Sequence, residues 1–144
     1  MPAVLVDAGA LIALLDRSDE HHESAARSLD NVTDSLLTVM PAVTEAMHLL
    51  GRVHRGQDAL FDLIEDEAVS LAQLDESDFR RMKVLMRKYR NLPMDFADAA
   101  LVRIAERERL TRILTFDRHF EIYGLPGRAR FVLLGSKKAS PHEG

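Results

Sequence analysis

Five carboxylates in this chain fall where a fold could draw them together. Asp95 and Asp98 stand three residues apart in Met94-Asp-Phe-Ala-Asp-Ala, at the expected start of a helix. Asp117 lies two residues past a short buried strand, within Leu114-Thr-Phe-Asp-Arg-His-Phe. Asp7 directly follows the apolar run Ala3–Val6, and Glu45 falls in the first turns of a helix that begins near Pro41. In an α/β sheet, acids at strand tips and helix starts point into one crevice at the carboxyl ends of the strands. Such oxygen ligands suit Mg2+ or Mn2+ rather than zinc or copper. Ions held this way lower the pKa of a bound water, align it and absorb charge on a leaving oxygen, which is the chemistry of displacement at phosphorus. Four clustered anions would otherwise repel one another.

Each acid also has a plain structural explanation. Asp7 and Asp117 can equally be N-caps of the segments that follow them, since Asp is a favoured cap. Glu45 could lie on a solvated face, although its neighbours Ala42, Val43, Ala46 and Met47 are apolar and burying an unpaired charge is costly. Pro93 disfavours helix at Leu92. Asp95 is then the natural N-cap, accepting from the Asp98 N–H and leaving Asp98 without a capping duty and free to face a metal. The remaining candidates are weaker. His21 and His22 read as a solvated helix start, His48 and His54 as peripheral, and His119 as a residue packed beside Phe120. The Arg/Lys-rich segment 78–89 reads as a charge-laced solvent face before it reads as a phosphate contact. There is no Walker A sequence, no dinucleotide glycine fingerprint and no nucleophile elbow.

The elements that must position these groups alternate between strand and helix. Strands are expected at Ala3–Val6, Ser35–Val39, Ala68–Leu71, Arg112–Thr115 and Phe131–Leu134. Helices are expected over 8–16, about 20–29, from Pro41 to about Leu50, over 57–64, from a cap at Asp75 or Ser77 to about Tyr89, and over 95–106. Leu60, Phe61 and Ile64 should face inward, as should Phe79, Met82, Leu85 and Met86. This order means an α/β fold with a mostly parallel sheet and helices on both faces. At 144 residues the chain is one domain, taken as residues 1–134, with an apolar-poor tail over 135–144. No apolar run approaches the ~20 residues of a membrane span. The absence of cysteine excludes disulfides and fits a cytoplasmic location. A net charge of −4 gives no overall basic footprint for nucleic acid.

In combination, the motifs around Asp7, Glu45, Asp98 and Asp117 resemble those of the PIN-domain nucleases, most nearly the small toxins of VapBC toxin–antitoxin modules. The resemblance runs from Val4 to about Leu134. It implies a three-layer α/β/α sandwich with a four- to five-stranded sheet and Mg2+- or Mn2+-dependent cleavage of RNA, leaving 5′-phosphate and 3′-hydroxyl ends. It also implies a homodimer restrained by a small antitoxin protein. Asp7, Glu45, Asp98 and Asp117 match the family's acidic quartet, and Thr115 a hydroxyl residue near the fourth acid. Asp95 stands where many members carry Ser or Thr. The apolar surplus around Leu11–Leu15 and Met47–Leu50 is the expected partner surface. Two alternatives stay open: a receiver-type signalling domain, which wants a Lys at a late strand tip, and an inactive scaffold of the same fold.

Overall fold

A computed structural model describes residues 2–135. Five strands form one wholly parallel sheet in the order β3-β2-β1-β4-β5. They are β1 (Ala3–Val6), β2 (Ser35–Val39), β3 (Val69–Ala72), β4 (Arg112–Thr115) and β5 (Val132–Gly135). Six helices connect them: α1 (Ala8–Leu15), α2 (His22–Leu29), α3 (Met40–Leu49), α4 (Gly56–Glu65), α5 (Glu76–Lys88) and α6 (Phe96–Glu108). The chain steps from β1 outward to β2 and β3, then crosses back to β4 on the other side of β1. With right-handed crossovers, α1–α4 cover one face and α5 and α6 the other. The sheet is therefore the middle of three layers, and the gap between the carboxyl ends of β1 and β4 is its switch point.

The middles of the central strands are apolar because both faces are covered. Val4, Leu5, Val6, Ile113 and Leu114 are fully buried. α6 lies in the core through Ala99, Ala100, Leu101, Val102 and Ile104. Thr38, also buried, donates from Oγ1 to the Val6 carbonyl at 2.7 Å, pinning the end of β1 beside β2. After β4 the chain turns through two short 3-10 segments, Arg118–Glu121 and Pro126–Arg128, before β5. Phe120, Tyr123 and Phe131 pack edge to face beneath this turn.

Several expectations need correction. Phe61 and Phe79 do not face inward; they are 57% and 54% exposed, while Leu60, Met82 and Leu85 fill the core. Of the apolar residues assigned to a partner surface, Leu11 and Leu50 are fully buried, Ile12, Leu14, Leu15 and Met47 are partly buried, and Leu49 is 46% exposed. β3 and β5 each begin and end one residue later than expected. Gly135 closes β5 opposite Thr115, and the rest of the expected tail, 136–144, lies outside the described residues.

A buried ion-pair network was not foreseen. Asp78, with no exposed surface, accepts from Arg103 Nε and Arg107 Nη1, each at 2.7 Å, and from the Asp75 N–H at 2.9 Å. Arg81 reaches Glu106 through two bonds of 2.9 and 2.7 Å. These contacts clamp α5 to α6 and so fix where α6 begins. Removing the anion from a buried pair strands its cations at a cost of about 3–5 kcal/mol. Asp78→Ala should therefore destabilise by that order, whereas Arg118→Ala, which breaks an exposed pair with Glu121, should cost under about 1 kcal/mol. Urea titration of both variants checks the contrast.

Candidate active site

Asp7, Asp95 and Asp117 each cap a segment that starts at the carboxyl edge of the sheet, and Asp98 and Glu45 lie in the first two turns of such segments. Asp7 caps α1, its Oδ1 accepting from the Ala10 N–H at 2.9 Å. Its Oδ2 accepts from the Thr115 hydroxyl at the end of β4. The same Thr115 Oγ1 accepts from the Asp117 N–H at 3.0 Å, so one buried hydroxyl ties the first acid to the fourth. Asp117 caps the 3-10 turn through the His119 N–H at 2.9 Å. Its Oδ1 also lies 2.7 Å from His119 Nδ1. Asp95 caps α6, accepting from the Asp98 N–H at 2.8 Å.

The expectation for Asp98 was incomplete. Its Oδ2 accepts in return from the Asp95 N–H at 3.2 Å, closing a capping box. Asp98 thus carries a structural duty through one oxygen and keeps Oδ1 for the site. Glu45, on the second turn of α3, has no side-chain hydrogen bond among the described residues.

These side chains line one cavity of about 430 Å³, formed by Asp7, Glu45, Asp95, Asp98 and Asp117 with Phe116 and His119. Among the described residues no Lys or Arg lines it. Burial pushes the Asp7 carboxyl up to about 6, against the opposing pull of its bonds from Thr115 and Ala10. Burial, then the charge of Asp95, raises Asp98. The same two causes raise Glu45 to a lesser degree. Crowded carboxylates whose one basic neighbour is His119, on Asp117, could hold a hard divalent ion. Among the described residues no three His, Asp or Glu side chains are already closed into a ligand shell. Glu45, unbonded and on a flexible stem, is the acid able to swing toward such an ion.

His119 was expected to pack beside Phe120 and instead lines the cavity. The available signal was its spacing, since a residue two after an Asx turn has its N–H and ring beside that carboxylate. Tyr123 was also missed. Its hydroxyl is buried without a partner among the described residues. Burial, then the charges of Asp98, Asp117 and Asp95, drive its pKa further up, so it stays a neutral donor. Neither His21 nor His22 lines the cavity: His22 Nδ1 bonds the Ala13 carbonyl at 2.7 Å and His21 stacks on Phe116. Among the described residues no lysine lines the cleft, and a receiver-type reading would require one.

Two outcomes follow from this geometry. Asp95→Ser should keep the α6 cap, and Asp95→Ala should cost ~1 kcal/mol. Asp98→Ala should also lose stability at about pH 4, where its carboxyl is largely neutral and only the reciprocal bond is removed; thermal melts unchanged at that pH would remove the capping box. The second concerns pH. The folded pKa of Asp7, about 6, exceeds its ordinary 3.8, so the fold favours the neutral form. That stabilisation is whole below about pH 4 and is lost as pH rises through about 6. Above that range the buried charge costs the ion-free protein on the order of 3 kcal/mol. Asp7→Asn, which retains an oxygen for Ala10, should raise ion-free stability at neutral pH and flatten its decline from about pH 4 to about 7. Urea titrations across that interval read both effects.

Comparison with known proteins agrees with this architecture. Over 135 residues the chain is 29% identical to Ribonuclease VapC26 of Mycobacterium tuberculosis, covering 91% of this chain and 99% of that protein. Its fold is similar to the crystal structure of M. tuberculosis VapC20, a Sarcin-Ricin loop cleaving toxin. The TM-score is 0.78 at 18% identity, over 85% of this chain and 95% of that one. A toxin–antitoxin complex from Klebsiella pneumoniae matches with a TM-score of 0.67 at 18% identity, over 94% of this chain and 99% of the other. VapBC2 from Rickettsia felis, bound to a promoter DNA fragment, gives 0.67 at 9% identity, over 92% and 98%. The PIN domain profile matches residues 4–124, most of the chain and all four acid-bearing segments, and the chain therefore belongs to the PIN-domain family.

Proposed function

We propose that this protein is a Mg2+- or Mn2+-dependent endoribonuclease, the toxin of a toxin–antitoxin pair. In this reading it works in the cytoplasm as a homodimer restrained by a small antitoxin protein. The observation that carries the nuclease reading is the cleft at the β1–β4 switch point, lined by five carboxylates and, among the described residues, no Lys or Arg. The ribonuclease and toxin–antitoxin relatives support the biological setting. Among the described residues no helix is long and apolar enough to cross a membrane.

Asp7, Glu45, Asp98 and Asp117 would hold the ion, with Asp95 and Thr115 as accessories. A divalent ion there supplies an acidified water and neutralises charge at the phosphoryl group. The chain's own groups do the rest. The Ala10 N–H and Thr115 hydroxyl keep Asp7 in one rotamer, so its carboxylate needs no reorganisation when substrate arrives. The α6 capping box holds Asp98 with Oδ1 toward the cleft. Glu45 is free to orient the attacking water. His119, beside Asp117, can donate to the oxygen that leaves.

Purified protein should cleave RNA with Mg2+ or Mn2+ and lose the activity in EDTA. Asp7→Asn and Asp98→Asn should each abolish cleavage with native circular dichroism. An ion at ~100 times its dissociation constant adds ~2.7 kcal/mol of stability. The wild-type melting temperature should rise accordingly, and Asp98→Asn should blunt the rise. Cleavage that survives both EDTA and Asp7→Asn would sink this reading.

A further inference from the structure

The acid cleft poses a problem for the substrate it is assigned. RNA is a polyanion, and this chain is acidic overall, with its carboxylates concentrated where the scissile phosphate must go. A bound ion corrects the charge at one phosphate only. Flanking phosphates need cations elsewhere, and single-stranded bases taken out of their stack need flat apolar partners.

Both lie together on the α5 side of the cleft. Glu45, Asp95 and Ala97 belong to the acid cavity and also to an adjoining groove of about 690 Å³, whose floor includes Leu71 and Leu74. Phe79 and Phe96 stand on the wall of that groove, 54% and 45% exposed. Their rings meet edge to face at 5.7 Å, which leaves a face of one presented beside an edge of the other. Over this aromatic pair is a second, shallower depression lined by Phe79, Phe96, Lys83, Arg87 and Arg90. Phe79, Lys83 and Arg87 follow at four-residue steps, so they form one stripe along α5. Arg81, Arg103 and Arg107 are spent on Asp78 and Glu106, whereas Lys83, Arg87 and Arg90 are exposed and form no ion pair among the described residues. A core face would have buried Phe79, and a merely soluble face has no need of two adjacent exposed phenylalanines.

We propose that Phe79 and Phe96 stack nucleobases of single-stranded RNA on one side of the scissile bond, and that Lys83, Arg87 and Arg90 hold the phosphates beyond them. The proposal rests on the nuclease reading of the acid cleft and adds the path by which substrate reaches it. Acids, then rings, then cations form a continuous track whose charge complements a strand with one ion-bound phosphate. An apolar protein segment would also cover the groove floor. It would gain nothing from the row of unpaired cations, which is why the observations favour RNA.

The test reads binding separately from cleavage. In an Asp7→Asn background with Mg2+ present, fluorescence anisotropy measures the affinity for a short labelled single-stranded RNA of mixed sequence at several salt concentrations. Lys83→Gln/Arg87→Gln/Arg90→Gln should weaken binding and reduce the salt slope by about 2, the value for three single-strand phosphates. Phe79→Ala and Phe96→Ala should each weaken binding about ten- to a hundredfold with the slope unchanged, because lost stacking releases no counterions. Phe79→Tyr should restore it. All these side chains are exposed, and thermal melts verify folding. If affinity and slope stay at the background value in every variant, the track is not an RNA path. If the ring variants lose a small basic protein partner but keep RNA, the face is a protein-docking surface and the proposal fails. Either result leaves the metal-dependence of cleavage as a separate question.

Discussion

Backbone N–H groups at segment starts are the constraint on which this structure depends. In a parallel sheet with right-handed crossovers, α1, α3, α6 and the turn after β4 all begin at the same edge. Each start leaves unpaired donors, and a short acidic side chain is an economical acceptor for them. Three of those starts use Asp: Asp7, Asp95 and Asp117. The convergence of caps is therefore also a convergence of charge. The structural and the functional explanations of these acids, which look like rivals along the sequence, are one arrangement seen from two sides. A carboxylate has two oxygens, and Asp95, Asp98 and Asp117 use one for the backbone and leave one toward the cleft. Asp7 is the exception, with both oxygens bonded, and it is the most rigidly held of the set.

How far this was legible in the sequence depends on the range of the interaction concerned. Strands β1, β2 and β4 could be read to the residue because a doubly covered strand is a bare apolar run bounded by caps and turns. The acids could be paired because the order of strands and helices dictates which ends meet. Phe79 could not be placed, because it fits the helical period of Met82 and Leu85 and only tertiary packing turns its end of α5 outward. Asp78 was invisible for a related reason. Its partners Arg103 and Arg107 lie 25 and 29 residues away, and no local pattern announces a pair between helices. His119 was misjudged because adjacency to Phe120 suggested packing, while an Asx turn at Asp117 decides where its ring goes.

The Asp78 network has a bearing on the site that its distance from the cleft conceals. Isolated burial of a carboxylate and two guanidinium groups carries a desolvation cost that an apolar replacement would avoid. What the network supplies is a fixed relation between α5 and α6. α6 packs closely through Ala97, Ala99, Ala100 and Ala105, with Leu101, Val102 and Ile104 as its larger buried side chains, and the clamp adds to the register they set. Slippage of a fraction of a turn would swing Asp98 out of the cleft. The charged clamp near the middle and end of α6 and the capping box at its start hold the helix at both ends, and Asp98 inherits the result.

The remaining tension is between folding and readiness. A site of the kind proposed, ready for a divalent ion, would have to hold its anions close and partly dry before the ion arrives. Asp7 and Asp98 bear the consequence in their raised pKa values. The fold compensates locally, with Ala10, Thr115 and the Asp95 N–H donating to the charged forms, and these bonds lower the cost without cancelling it. Complete cancellation would need a basic side chain in the cleft, and such a side chain would compete with the ion for the same oxygens. The protein instead keeps its arginines on Asp78, Glu106 and the outer face of α5. In the proposed function, ion-free instability at the cleft would be the structural counterpart of affinity for an ion.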